Sequence, residues 1–238
     1  MIRIKRLDDL IADNFPDPAR ALADPNGLLA FGGDLSPQRL LAAYRRGIFP
    51  WYSEGDPLLW WSPDPRCVFA SDSVHLSHSL RRALRDSHWQ WSMNRAFEAV
   101  MHACAAPRPH QDGTWITPAM IVAYTNLHLL GHAHSLEIWE GEILVGGIYG
   151  VAAGRAFSAE SMFSRRTNAS KAALVALAHA LQQRACPIID AQVPNPHLLR
   201  MGARTIARSE YLATLANLIA APAPRDWPRQ LAPVCTLA

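Results

Sequence analysis

The order strand, loop, helix, strand between Phe157 and Asn195 constrains this chain more than any other stretch. FSAESMFSRRTNASK (157–171) runs into an Ala/Leu-rich helical segment, Ala169 to Arg184, and then into IDAQVPN (189–195). Two parallel strands joined through a helix lie in one sheet, with the helix returning across a face in a fixed hand. Upstream, His134–Trp139 alternates, Glu140-Gly141-Glu142 turns and Ile143–Tyr149 returns, a hairpin pattern. Gly150–Gly154 reads as a further turn and Arg155–Ser158 as a third strand. The chain is therefore expected to be α+β, with helices flanking a mostly antiparallel sheet that gains one crossover.

The first sixty residues read as short pieces tied by turns. Leu28–Phe31 is an apolar run ending at Gly32-Gly33, and Ser36-Pro37 opens a helix that Gly47 closes. Ile48–Pro65 holds Trp51, Trp60, Trp61 and four prolines. Such a stretch cannot be a helix interior. It is read as a shaped loop whose tryptophans either staple two lobes or wall a groove. Further on, Arg66–Ala70 and Trp89–Ser92 read as strands. His78–Arg85, Asn94–Cys104, Pro118–Leu130 and Tyr211–Ala220 read as helices. Ala105–Gly113 is a loop carrying Arg108, His110 and Gln111. The expected division is a small N-terminal α+β domain, 1–62, and a larger catalytic domain, 63–238.

Composition removes several classes. No apolar run reaches the length of a spanning helix, and acids stand where a secretory signal would be apolar, so a soluble cytoplasmic protein is expected. The four cysteines share no metal-binding spacing, and the ten histidines do not cluster as ligands. No glycine-rich phosphate loop and no G-x-S-x-G elbow occur. Neither metal nor cofactor is expected, and any group donor must arrive activated. The net charge is +3 without a polybasic tail, so RNA contact should be local and involve few phosphates.

Glu160, Asp190 and Gln192 remain as candidate chemistry. Glu160 is read just past a strand end, and Asp190 and Gln192 at the end of the strand after the crossover helix. Their period-two spacing lets them share a face. A carboxylate behind a carboxamide can orient it, and the pair can guide an amine toward a carbonyl. Arg165 and Lys171 are placed to hold a phosphate. Read as pattern alone, Asp190 is equally a cap and Gln192 a surface residue at a strand end.

GLLAFGGDLSPQRLLAAYRRGIFPWY (27–52), LLWWSPDPR (58–66), the segment 114–140, 146–177 with its ESMFSR, and IDAQVPNPHLLRMGA (189–203) closely resemble the leucyl/phenylalanyl-tRNA–protein transferase family. The resemblance implies a small N-terminal domain before an acetyltransferase-like (GNAT-like) domain. It implies transfer of Leu or Phe from aminoacyl-tRNA to the N-terminal Arg or Lys of a protein, forming an N-degron; a monomer is expected, though the sequence itself does not report the oligomeric state. Glu160 is then the carboxylate for the basic acceptor residue. Gln192 lies nearest the attacking amine, with Asp190 behind it. Trp51 and Trp115 wall the aminoacyl-adenosine site. Met162 and its neighbour Phe163 form the amino-acid pocket, with Ser158 and Asn195 beside the substrate. Two rivals remain: an acyl-CoA N-acetyltransferase, disfavoured because the pyrophosphate-loop position reads FSRRTNASK, and a non-catalytic RNA-binding module.

Overall fold

In the computed structural model, which describes residues 4–8, 11–107 and 114–238, the chain builds two sheets. The first has the order β1-β2-β4-β3, from β1 (Lys5–Leu7), β2 (Leu28–Gly32), β3 (Phe49–Pro50) and β4 (Leu59–Trp61), with helix α1 (Pro37–Tyr44) before β3. Ser36 Oγ accepts the Arg39 N–H and Pro37 takes the first helical position, so α1 starts where its cap dictates. The stretch 48–65, expected as a loop, contains β3 and β4. Pro50 is tolerated there because β3 is an edge strand.

The second sheet collects β5 (Arg66–Ala70), β6 (Gln90–Met93), β7 (Ala133–Glu140), β8 (Ile143–Ala153), β9 (Ala156–Ser164), β10 (Ile188–Gln192), β11 (Arg204–Ile206) and β12 (Ala232–Pro233). Their order is β11-β5-β10-β9-β8-β7-β6-β12. Helices α2 (His78–Arg85), α3 (Phe97–Ala105), α4 (Pro118–Leu129), α5 (Ala169–Gln182), α6 (Pro196–Arg200) and α7 (Arg208–Ile219) complete the α+β architecture. Ser77 caps α2 and Thr117 caps α4, each accepting a main-chain N–H of the first turn. No helix among the described residues is long and apolar enough to cross a membrane. The loop residues Arg108, His110 and Gln111 lie outside the described residues.

The crossover falls on β9, α5 and β10. Strand β10 runs parallel to β9, with Ile188, Ile189 and Asp190 opposite Ala156, Phe157 and Ser158. Helix α5 is almost wholly buried and packs on β7, β8 and β9. The expected turn at Gly150–Gly154 is a correction. Strand β8 runs on to Ala153, and β9 continues to Ser164, so Glu160 lies inside a strand rather than past its end. Gly150 serves the ladder, not a turn. A Cβ there would lie 2.1 Å from the Ser158 carbonyl oxygen and 2.5 Å from the Phe157 ring.

Helices α3 and α4 cover the other face of the sheet. There Leu7, Tyr44, Phe49 and Trp60 of the first sheet's lobe share one apolar cluster with Phe97, Met120, Tyr124 and Tyr149. Trp60 is fully buried within it and acts as a staple. The short edge strands β11 and β12 were not anticipated, being three and two residues long.

Candidate active site

Two irregularities in the large sheet build the site. On β9, Ser161 pairs with Tyr149 and Ala159 with Gly150, so Glu160 is the extra residue of a bulge. On β10, Asp190 pairs with Val68 and Gln192 with Cys67, so Ala191 is the extra residue of a second bulge. Gln192 takes a left-handed backbone, φ 63°, at a cost of about 1–3 kcal/mol for a non-glycine residue. Bulges re-aim side chains next to functional sites. Past Ser158 the β9–β10 ladder ends. In the opening lies a cavity of about 220 Å³, lined among others by Glu160, Met162, Gln192, Trp115, Leu174 and Leu198.

Gln192 Nε2 donates to Glu160 Oε1 at 2.7 Å, and the Tyr124 hydroxyl donates to Glu160 Oε2 at 3.3 Å. The Tyr44 hydroxyl hydrogen-bonds that of Tyr124, which joins α1 and α4 to the carboxylate. Burial pushes the Glu160 carboxyl up to about 8. Asp190 adds to this, while the Tyr44 and Tyr124 hydroxyls and Arg66 oppose it. Burial also raises both tyrosines well above their ordinary range, so both keep their protons and donate.

Asp190 departs from the arrangement expected for it. It does not stand behind the Gln192 carboxamide, which Glu160 holds instead. Its Oδ1 accepts the Gln192 main-chain N–H at 2.9 Å, and so fixes the bulge. The bulge breaks the period-two relation, which is why the two side chains do not share a face. Asp190 is fully buried and binds Arg66 in a fork, Nε to Oδ1 at 2.7 Å and Nη2 to Oδ2 at 2.6 Å. The Tyr211 hydroxyl donates to Oδ2 at 2.9 Å. Burial works against the Arg66 charge, and Asp190 more than compensates. Arg66 also donates to the Gly47 carbonyl at 3.1 Å and stacks on Phe49, so this ion pair ties the small lobe to the sheet.

The other expected residues divide. Met162, Trp115 and Asn195 line the cavity. Asn195 also caps α6, accepting the Leu198 N–H. Met162 and Asn195 are shared with an adjoining groove of about 610 Å³, where Phe163 and Arg165 stand. The Arg165 guanidinium lies over the Phe163 ring and donates to the Leu144 carbonyl. Lys171 donates to Asn168 Oδ1 beside that groove. Ser158 is buried against Asp190, at 3.4 Å, and does not line the cavity. Trp51 is 43% exposed, tilted against Trp61, and also outside the cavity wall. Sequence reasoning missed Tyr44, Tyr124, Arg66 and Tyr211. Their only signal was a polar tip on an apolar stripe, or an arginine in a strand, each needing a buried partner.

Models of two families match the chain. Residues 33–64 match the leucyl/phenylalanyl-tRNA protein transferase N-terminal domain, and residues 68–216 match leucyl/phenylalanyl-tRNA protein transferase. A curated protein of Xanthomonas oryzae pv. oryzae, named leucyl/phenylalanyl-tRNA–protein transferase, is 60% identical over 215 residues, 90% of this chain and 86% of that protein. One of the same name from Shewanella baltica is 55% identical over 204 residues, 86% of each chain. Likeness to solved structures is loose. A GCN5-related N-acetyltransferase from Kribbella flavida gives a TM-score of 0.35 at 9% identity, over 70% of this chain and 59% of that one. Matches that span both sheets, with relatives at this level of identity, establish that the chain belongs to the leucyl/phenylalanyl-tRNA–protein transferase family.

Proposed function

We propose that this chain is an aminoacyltransferase that moves Leu or Phe from aminoacyl-tRNA to the N-terminal Arg or Lys of an acceptor protein, leaving an N-degron. The observation that carries the reading is the buried Glu160–Gln192 pair at an apolar cavity. Glu160 receives the acceptor's cationic side chain. Met162, Leu174 and Leu198 supply an apolar surface for the Leu or Phe side chain. Trp115, in the cavity wall, supports a place for the terminal adenosine, and Trp51, exposed and outside that wall, is assigned to the same end of the tRNA by the family resemblance alone. Arg165 and Lys171 are placed for a phosphate of the RNA end. The small lobe, 1–62, supports the site through Tyr44 and Gly47, and the catalytic unit, 63–238, carries the reacting residues.

In the reaction the acceptor α-amine attacks the ester carbonyl carbon. The new C–N bond forms, the bond from that carbon to the ribose oxygen breaks, and the amine proton goes to the departing hydroxyl directly or through water. An ester is already activated, so positioning does most of the work. The α-amine, with a pKa of roughly 8, is partly neutral near pH 7. Gln192 accepts no proton at ordinary pH and aligns the amine by hydrogen bonding. The fork with Arg66 and the Tyr211 hydroxyl supports a positioning role for Asp190 over a proton relay.

The test is to incubate the purified protein with leucyl-tRNA and a peptide beginning with arginine, without ATP or CoA. Leucyl-peptide is the expected product. No transfer, or transfer that depends on acetyl-CoA, overturns the proposal.

A further inference from the structure

A cavity of about 690 Å³ lies where α1 and α4 end, β8 finishes at Ala153 and the tail after α7 folds back. It shares no residue with the cavity at Glu160. Its walls carry Arg45, Arg225 and Arg229 together with His128, His132 and His134, and no carboxylate is among its lining residues. The arginines and histidines are close enough to act on one another, and His132 and His134 are held neutral at pH 7, so the arginines carry the cavity's positive charge. Burial and Arg45 both lower His132, while burial, His128 and His132 push His134 down to about 3. The acid nearest in sequence, Asp226, is turned to Arg184 at 3.7 Å. Among the described residues, the guanidinium groups of Arg45, Arg225 and Arg229 have no hydrogen-bond or ion-pair partner.

Two buried donors complete the cavity. Asn94 Oδ1 accepts the Ser135 N–H, so its Nδ2 faces His134 Nδ1 at 3.1 Å and donates to it. His134 therefore carries its proton on Nε2. That nitrogen is buried, in a residue only 3% exposed, and has no partner within hydrogen-bond geometry, although the Gly131 backbone lies near enough to favour its proton. The Trp227 indole N–H, packed against the His134 ring at 4.2 Å, is likewise orphaned. Buried donors are normally paired, and each orphan calls for an explanation. Guanidinium forks and buried N–H groups lining one cavity favour an anion with several oxygens, and a phosphate offers more acceptors than a single carboxylate.

We propose that this cavity is a phosphate-binding site. The phosphate comes either from the backbone of the tRNA, which rests on the transferase reading, or from a free phosphate compound, which does not.

The experiment measures the affinity of the full chain for uncharged tRNA by fluorescence anisotropy, and for pyrophosphate and inorganic phosphate by calorimetry. The parent is compared with an Arg225→Ala, Arg229→Ala pair and with an Arg225→Lys, Arg229→Lys pair. These arginines are exposed, so the fold should survive, and thermal unfolding checks it. A tenfold or greater loss of tRNA affinity in the alanine pair, partly restored in the lysine pair, is expected and assigns the phosphate to RNA. Loss of pyrophosphate or phosphate binding with tRNA affinity unchanged upholds the site with a free anion as its ligand. If the parent binds neither free anion at millimolar concentration and the alanine pair binds tRNA as the parent does, the proposal is overturned. Both readouts are independent of transfer activity, so a failed transfer assay leaves this test standing.

Discussion

Glu160 holds its proton at neutral pH, since burial lifts its ordinary 4.5 to about 8. A cation brought beside it favours the carboxylate, so acceptor binding should expel a proton. The calorimetric heat of binding an Arg peptide near pH 7 should then change with the ionisation enthalpy of the buffer, and cease to do so in Glu160→Gln. That variant should lose roughly 2–5 kcal/mol in use of Arg and Lys peptides while binding tRNA nearly as before. Glu160 also shapes stability. Between pH 4.5 and about 8 the folded state keeps a proton that the unfolded chain has lost, so stability falls as pH rises through that window. Denaturant midpoints measured across it should decline less steeply in Glu160→Gln. Gln192→Ala should slow single-turnover transfer without weakening aminoacyl-tRNA binding. Equal single-turnover rates for the variant and the parent would remove Gln192 from the mechanism.

At the scale of elements, paired bulges on β9 and β10 put Glu160 and Gln192 face to face. Gly150 makes room for the first, so Gly150→Ala should shift β9 and cost both stability and transfer. A variant with parental activity and melting temperature would show that the bulge adapts freely. Much of this level was legible in the sequence. Ser36, Ser77 and Thr117 mark helix starts because a cap is a local event. The hairpin and crossover followed from period and turn chemistry. The bulges were not legible, because an extra residue in a strand leaves no mark when the residues around it still look like strand. The candidate site was proposed from the sequence as three residues, Glu160, Asp190 and Gln192, and their proximity was legible there but their contacts were not. Which carboxylate holds the Gln192 amide depends on register, and the Tyr44 and Tyr124 hydroxyls arrive from helices distant in sequence.

The whole molecule is joined through Asp190. Asp190→Asn would leave the buried Arg66 cation without its counter-charge, and a loss of roughly 3–5 kcal/mol is expected in chemical denaturation. Arg66 also reaches the Gly47 carbonyl and the Phe49 ring in the small lobe, beside an apolar cluster common to both sheets. The two lobes are therefore expected to unfold together. One cooperative transition should carry tryptophan fluorescence, far-UV circular dichroism and transfer activity together along a urea titration. Two separated transitions would show lobes that melt alone. Under a single transition, a protease that samples only the unfolded ensemble degrades the chain as one piece, and no stable half-molecule accumulates to compete with the intact enzyme for tRNA.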